Sequence, residues 1–355
     1  MKRIIILTIT IILHFFCTSC DSTNFTPKKE FNLSDSIKLS KISEKAIIER
    51  LSSSNTTFEI SPLTIIKQFS NNNLVLYDGR YNIFITDLSL KVQKEFNLRE
   101  KDFYFNGKIE DIVAIGRSIY LLDHSFVIKK LNIDTEDISK IELDIKELYS
   151  MRIFNFMFIS NINDKLILTP VMSNILPEKE IPLAVIIDKK GNIESVLVIP
   201  RNQGDIQIWS KSGDHVFASS INNEIIINFR ISRKAYRYSL DGKLISVYTL
   251  PVDKKYYSEP KGDEITIDRG GIKETAERVH FIPVTTGPLQ YDKAGNAYCL
   301  MFQGQNAKQK LAKLDTKFNL KTESVINTIS NCCYKLLIAD NKIIFHNNNL
   351  VHIYD

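Results

Sequence analysis

Beyond residue 62, short apolar runs separated by polar turns recur to the end of the chain, and they recur in groups of four. Runs such as Leu74–Tyr77, Ile225–Phe229 and Ile343–Phe345 are rich in β-branched and aromatic residues, which is typical of β-strands. Helical periodicity is scarce. The segment Ser139–Ser150 has helical spacing, but Ile141–Leu143 within it suits a strand as well. A repeated unit of four strands limits the chain to a few all-β architectures.

Six units can be counted from the first apolar run of each. These first runs are Leu63–Phe69, Ile109–Ile115, Phe154–Ile159, His215–Ser219, Val284–Tyr291 and Tyr334–Ala339. The sixth unit stops after its third strand, whereas Ala46–Leu51 is a strand-like segment without a unit of its own. An N-terminal strand that completes the last sheet closes a ring and removes an open edge.

The sequence therefore predicts an all-β fold, a six-bladed β-propeller of four-stranded antiparallel blades with an N-terminal strand closing the last blade. A seven-bladed ring is the alternative, because about 45 residues per blade is typical and residues 46–355 number 310. We assign the excess to insertions near 170–181 and 252–283. The second insertion can be read as a solvated loop or as a lid over one face.

Several turns carry hairpin chemistry. Asp188–Asn192 and Leu240–Lys243 each contain a Gly, which tolerates the positive φ of a tight hairpin. Asp292–Asn296 is a similar turn, and it lacks the alternating Asp ligands of a calcium loop.

The N-terminus has the pattern of an export signal. Lys2 and Arg3 precede the apolar run Ile4–Phe16, which is shorter than the roughly 20 residues that span a bilayer as a helix. Small residues and then Cys20 follow, so this segment resembles a bacterial lipoprotein signal in which the Cys20 thiol is acylated. Cys17 departs from that pattern, since the family usually has Leu there. Ordinary cleavage near the same point is the alternative.

These features predict three segments: a signal peptide at 1–19, a flexible polar tether at 20–45 and the propeller at 46–355. The whole chain has 46 basic and 41 acidic residues. Two basic residues leave with the signal, so that the net charge falls from +5 to +3. Such a balance gives no indication of nucleic-acid binding.

Three cysteines remain downstream, namely Cys299, Cys332 and Cys333. An odd number does not describe a disulfide framework. The sequence is compatible with one disulfide bridge from Cys299 to either of the other two cysteines. It is also compatible with buried free thiols.

The chain resembles the six-bladed β-propeller lipoproteins of Bacteroidetes-type bacteria. The resemblance is carried by the Cys20 signal, the segment Ala46–Ser54 and the phrase Tyr236–Lys243, and it covers nearly the whole chain. It implies the fold and a lipid anchor. The family has no established activity, so the resemblance implies no catalytic residues.

In a propeller, the loops from strand two to three and from strand four to the next strand one share one face. All the long predicted loops fall there, and binding residues concentrate on loops of rigid scaffolds. The predicted binding residues on this face are Arg80, Tyr81, His124, Trp209, Arg230, Arg233, Lys234, Gln303 and His346. Arginine suits carboxylates and phosphates, and aromatic faces suit sugars or partner surfaces. Any one of these residues can equally be an ordinary loop residue.

Catalytic motifs are missing from the sequence. It contains no His-Glu-x-x-His, no P-loop and no Gly-x-Ser-x-Gly, and its histidines are scattered. We therefore predict no catalytic residue, no metal and no cofactor. The predicted function is non-enzymatic binding by a monomeric lipoprotein of the cell envelope, anchored to a membrane by its N-terminal lipid, periplasmic or surface-facing if that membrane is the outer one. Its partner would be an envelope protein or a small polar or anionic ligand.

Two other functions remain open. One is a propeller hydrolase or lyase that acts on a carbohydrate or lactone-like substrate at the channel mouth, with carboxylates or a bound metal. The other is a purely structural subunit of an envelope complex.

Overall fold

The structure is a computed structural model, and all the residues that it describes belong to one unit, Asp35–Asp355. The described residues are 41–46, 65–70, 72–79, 81–99, 109–123, 125–171, 180–200, 215–230, 232–251, 261–269, 272–280, 287–301, 310–325, 335–346 and 350–354. In this part of the chain, no helix has the length and hydropathy of a membrane span.

The described strands pair antiparallel into four-stranded sheets, numbered here in chain order. The first strand along the chain, β1 (Lys41–Ala46), belongs to the last of them. Sheet 1 contains β2 (Ile65–Ser70), β3 (Asn73–Tyr77), β4 (Asn82–Asp87) and β5 (Val92–Asn97). Sheet 2 contains β6 (Asp111–Ile115), β7 (Ser118–Leu122), β8 (Val127–Asn132) and β9 (Ile138–Glu142). Sheet 3 contains β10 (Phe156–Ile162), β11 (Lys165–Pro170), β12 (Glu180–Ile187) and β13 (Ile193–Pro200).

The second half of the chain repeats this order. Sheet 4 contains β14 (Val216–Ile221), β15 (Glu224–Phe229), β16 (Lys234–Ser239) and β17 (Leu244–Thr249). A two-stranded hairpin of β18 (Lys261–Arg269) and β19 (Ile272–His280) then lies within the predicted insertion 252–283. Sheet 5 contains β20 (Gln290–Tyr291), β21 (Ala297–Met301), β22 (Lys310–Leu314) and β23 (Leu320–Val325). Sheet 6 contains β24 (Lys335–Ala339), β25 (Lys342–His346), β26 (Leu350–Tyr354) and β1.

Burial along the strands explains why the sequence forms stacked sheets. All five residues of β7 are buried, because a central strand of a stacked sheet is covered on both faces. The outer strand β17 alternates half-buried and exposed residues, since only one of its faces is covered. Clusters of buried side chains join successive sheets; for example, Ile83 of sheet 1 and Ile112 of sheet 2 share one cluster. The first strands β2, β6, β10 and β14 contact one another in turn. The fold is thus an all-β propeller of four-stranded antiparallel sheets.

The hairpins between first and second strands, and between third and fourth, lie at one end of the sheets. We call this end the short-hairpin face. Asn222 and Asn223 both have positive φ, as do Asp340 and Asn341, which suits two-residue hairpins with the twist of the strands. The predicted positive φ of a glycine turn is confirmed at Gly191, where φ is +93°.

A recurring side-chain bond closes the longer turns. In the turn Asp188–Asn192, the Asp188 carboxylate accepts hydrogen bonds from the backbone N–H of Lys190 and Asn192 and from the Asn192 amide. The pairs Asp292–Asn296 and Asp315–Asn319 repeat it. These bonds satisfy backbone donors that the tight turns would otherwise leave to solvent.

Two local predictions are corrected or resolved by the structure. The strand that pairs with β26 is Lys41–Ala46, not the predicted segment Ala46–Leu51, and it overlaps the end of the predicted tether. The rest of 46–51 lies outside the described residues.

The segment Ser139–Ser150 contains both a strand and a helix, because β9 is followed by the helix α1 (Ile145–Ser150). Asp144 caps α1 by accepting hydrogen bonds from two backbone amides of its first turn.

Candidate functional site at the channel mouth

The end of the sheets opposite the short-hairpin face is where first strands begin and second strands end. We call it the mouth face, and it is the face on which the sequence placed the binding loops. Arg80, His124, Trp209 and Gln303 lie outside the described residues, as does Cys20. The described members of the predicted site are Tyr81, Arg230, Arg233, Lys234 and His346.

Tyr81, Arg233 and Lys234 lie in or beside loops between second and third strands, as Arg230 does. The Tyr81 side chain is 46% exposed, and its ring lies 5.6 Å from the Arg99 guanidinium. The half-buried Arg233 and Lys234 shape the corresponding loop of sheet 4, in which the Lys234 N–H donates to the Ser232 hydroxyl at 3.0 Å. These residues therefore lie beside the third strands of their sheets, and the second strand of each sheet separates them from the first strand, which lines the axis.

His346 ends β25 and is buried, with 3% of its surface exposed. Burial lowers its pKa to about 3, and the nearby positive charges of Lys335 and Lys67 act in the same direction. The imidazole is therefore neutral at any physiological pH. It contributes an uncharged polar group to the mouth.

A polar contact at the mouth joins three sheets. The Lys67 ammonium of β2 donates to the Asp111 carboxylate of β6 at 2.9 Å. The same carboxylate oxygen accepts the backbone N–H of Ile159 in β10 at 3.1 Å. The Asp111 side chain is 5% exposed and that of Lys67 is 28% exposed. Asp111 is thus fixed between two neighbouring sheets, while part of Lys67 stays accessible from the mouth.

The other side of the mouth is aromatic. The Phe158 ring of β10 lies 5.6 Å from His215 and 5.0 Å from Phe217, measured between ring centroids. Burial, and next the charge of Arg230, lower the pKa of His215 below its ordinary value. Arg230 directly follows β15 and is exposed, and its N–H donates to the His215 carbonyl. A cation and an aromatic surface therefore adjoin at this point.

These residues form what we call the mouth cluster. Its members are Lys67, Asp111, Phe158, His215, Phe217, Arg230, Lys335 and His346. Only Arg230 and His346 were predicted, because the prediction took residues from loops and left out the first strands. The signal that could have found the others was a polar side chain, such as Lys67 or Asp111, inside or at the start of an otherwise apolar first run.

A buried ion pair supports the neighbouring loop of sheet 2. The Lys129 ammonium pairs with the Asp123 carboxylate, and both side chains are at most 5% exposed. Burial opposes ionisation of Asp123, but hydrogen bonds from Lys129 and Ser125 outweigh it and lower its pKa. Because Asp123 is already neutralised, it adds no net negative charge to the mouth face.

A second concave surface lies at the short-hairpin face, between sheets 4 and 5. It is a cleft of about 350 Å³, open solvent included, lined by Arg237, Glu224 and Phe318 among others. The Arg237 guanidinium is bound to the Glu224 carboxylate and to the Tyr248 hydroxyl at 2.9 Å. Its charged groups are therefore engaged with each other, which makes it a weaker candidate than the mouth.

The described side chains also bear on metal binding and cysteine chemistry. Among them, no group of three or more His, Cys, Asp or Glu residues is placed to hold a metal ion. Cys299 is a buried thiol in β21, and Cys332 and Cys333 lie outside the described residues.

Several solved structures are similar to this chain. The chain is similar to a member of the DUF4221 family from Bacteroides vulgatus, with a TM-score of 0.53 at 9% identity, over 89% of this chain and 97% of that one. It is also similar to the WD40 β-propeller domain of Doa1 (TM-score 0.44, 10% identity, 82% and 91% of the two chains). A third similar structure is BamB from Moraxella catarrhalis (TM-score 0.43, 8% identity, 90% and 100%). No protein-family model and no curated protein matches the chain. At 9% identity, the likeness to the DUF4221 family member shows a shared fold and nothing about function.

Proposed function

We propose that this protein is an exported, lipid-anchored β-propeller that binds an anionic ligand at the mouth face without chemical conversion. The observation that carries the proposal is the mouth cluster, where cations and an aromatic surface meet at the axis of a rigid scaffold. The proposed location is the cell envelope, with the lipid on Cys20 as the membrane anchor.

We further infer that the sheets form a closed ring of six blades. Sheet 6 shares a cluster of buried side chains with sheet 1, in which Ile344 and Ile353 lie with Leu74 and Phe84. The first strands β20, β24 and β2 contact one another in turn, as those of the earlier sheets do. The pairing of β1 with β26 supplies the fourth strand of sheet 6 from the opposite end of the chain. A closed ring has no free sheet edge at which the scaffold around the mouth could open.

The charge at the mouth favours an anion. Lys67, Lys335 and Arg230 supply three positive charges, and both described histidines of the cluster have lowered pKa values. The Asp111 carboxylate is the cluster's only acid, and two hydrogen bonds hold it. A bound carboxylate or phosphate would therefore meet a net positive site with low-dielectric walls, where attraction exceeds that at an open surface.

The test uses N-acetylglutamate and inorganic phosphate as probes, titrated into the purified protein by calorimetry. The variant Arg230→Gln/Lys335→Gln should bind the probe at least tenfold more weakly than the wild type. The matched control, Lys190→Gln/Lys317→Gln, removes two exposed cations from the short-hairpin face and should bind as the wild type does. Equal weakening by both variants would mean a diffuse charge effect, and no binding of either probe would refute the proposed anion site.

Lipid attachment has its own test. Metabolic labelling with a radioactive fatty acid should mark the wild type and Cys17→Ala but not Cys20→Ala. Labelling that survives in Cys20→Ala would place the lipid elsewhere, and a complete lack of labelling would favour ordinary cleavage. The two cysteines are three positions apart, so the control changes the same chemistry in the same segment.

A further inference from the structure

An exposed apolar patch lies on the mouth face beside α1. Nine large hydrophobic residues are exposed in the described part of the chain, and four of them come together here. The four, called the rim patch below, are Ile145 (46% exposed), Tyr149 (50%), Phe154 (44%) and Val171 (41%). Single exposed apolar residues need no explanation, whereas a contiguous group marks an interaction surface.

Contacts and chain geometry link the members of the rim patch. The rings of Tyr149 and Phe154 lie 5.7 Å apart. Ile145 and Tyr149 are four residues apart on α1 and so share one side of the helix. The backbone of Val171 lies beside this group, since its N–H donates to the carbonyl of Asn155, the residue after Phe154, at 3.0 Å.

Other apolar side chains pack against the rim patch and hold it in place. Phe126 lies 5.6 Å from Tyr149 and 5.9 Å from the buried Phe156, edge to face in both cases. Leu148 of α1 is fully buried in the cluster between sheets 2 and 3. A preorganised apolar surface loses little entropy when it binds, which is what an anchor site for a partner requires.

The rim patch and the mouth cluster are close together. Phe154 precedes β10 and Phe158 lies within it, so the two residues are four positions apart. Four extended residues span at most about 14 Å. The next residue, Ile159, donates its N–H to Asp111. One short ligand segment can therefore contact the patch and the cations of the mouth together.

The size of the patch indicates what kind of partner fits. Its four half-exposed side chains offer about 300 Å² in total, since an aromatic side chain has roughly 150–250 Å² to bury. A stable protein–protein interface needs about 800 Å² from each partner. The patch is thus too small for a stable dimer of this chain, but it suits a single apolar anchor of a peptide segment.

We propose that the mouth face recognises a peptide segment of a partner protein that carries an apolar or aromatic side chain and, three to five residues away, a carboxylate. The apolar side chain packs on the rim patch, and the carboxylate binds the cations of the mouth cluster. This inference rests on the proposed anion site and names its ligand class.

The test uses synthetic fluorescent peptides with one Phe and one Glu separated by zero to eight Gly/Ser residues, bound to the full-length protein in detergent and followed by fluorescence polarisation. Affinity should peak at the three-to-five spacing. The variant Tyr149→Ser/Phe154→Ser and a peptide with Gln in place of Glu should each bind at least tenfold more weakly. The control Ile245→Ser/Val247→Ser removes equally exposed apolar residues from β17 and should bind normally.

Several outcomes would overturn this inference. A spacing series without a maximum, or equal losses in the rim-patch variant and the control, would refute a two-point segment. Binding of N-acetylglutamate at the mouth with no gain from the Phe anchor would leave the proposed function standing and this inference refuted. A dimer in sedimentation, or co-sedimentation with phosphatidylglycerol vesicles, that is lost in Tyr149→Ser/Phe154→Ser would assign the patch to a second copy or to a lipid surface instead.

Discussion

The buried pair of Asp123 and Lys129 gives a sharp prediction for the change Lys129→Met. The variant keeps the length of the side chain but leaves the buried carboxylate without its cation. Removing one partner of a buried ion pair costs about 3–5 kcal/mol. Asp123 retains hydrogen bonds from the N–H and hydroxyl of Ser125, so we expect a loss near the lower end, about 3 kcal/mol. The free energy of unfolding, measured by urea denaturation with circular dichroism, gives this value.

The double variant Asp123→Asn/Lys129→Met serves as the matched comparison. The neutral amide still accepts from Ser125 and no charge remains buried, so at least half of the lost stability should return. A loss below about 1 kcal/mol in Lys129→Met, or a double variant as unstable as the single one, would refute the reasoning.

The same pair predicts a pH dependence. In the wild type the pKa of Asp123 is lowered. Its contribution to stability is therefore present above the unfolded pKa of about 3.9 and is lost as the pH falls through the lower folded value. Without Lys129, burial still raises the pKa of Asp123 and only the Ser125 hydrogen bonds oppose it, so protonation relieves the penalty at a higher pH than in the wild type. The stability deficit of Lys129→Met should accordingly shrink from pH 7 toward pH 4. A deficit that stays constant over this range would contradict the assignment.

Three further predictions follow from single features. Gly191→Ala should lose about 2–3 kcal/mol of unfolding free energy in urea denaturation, because φ is +93° and a Cβ would lie 2.8 Å from the Glu142 carbonyl oxygen. The control Gly116→Ala, at φ +58° with open space, should lose about 1 kcal/mol. Equal losses would contradict the steric argument. His346 has a folded pKa of about 3, below its unfolded value, so its imidazole should stay neutral in an NMR titration above that pH. Its contribution to stability should fall by about 1.4 kcal/mol for each unit by which the pH is lowered from 6 to 3. The variant His346→Gln should abolish this pH dependence. A chain that starts after Lys41–Ala46 should melt at least about 5 °C below one that starts at residue 41, the shift expected for a loss of ~2 kcal/mol; equal melting temperatures would show that β1 is dispensable.

Much of the fold could be predicted because its signal is local. Runs such as Leu74–Tyr77 and Ile225–Phe229 carry continuous apolar residues, and the structure has them as β3 and β15 within one residue at their ends. The turn at Gly191 could be predicted because glycine is the residue that a positive φ favours. The position of β1 was wrong by five residues, because the segment after Ala46 is the more apolar one. Its register depends on pairing with β26, which is distant in sequence.

The site was harder to predict. Arg230 was expected at the mouth and lies there, but Lys67 and Asp111 were not anticipated. Their interaction joins residues 44 positions apart. Such a contact depends on the stacking of two sheets, which residue types and spacing do not encode. His346 was predicted as a loop residue, whereas it ends β25 and is buried.

The direction of β1 fixes where the leading segment meets the ring. Lys41 pairs with Tyr354, at the end of sheet 6 that lies away from the mouth, and Ala46 pairs with Leu350, at the mouth end. The strand β1 therefore begins at the short-hairpin face and ends at the mouth, so that any segment fused directly before Lys41 would leave the sheet on the side opposite the proposed binding surface.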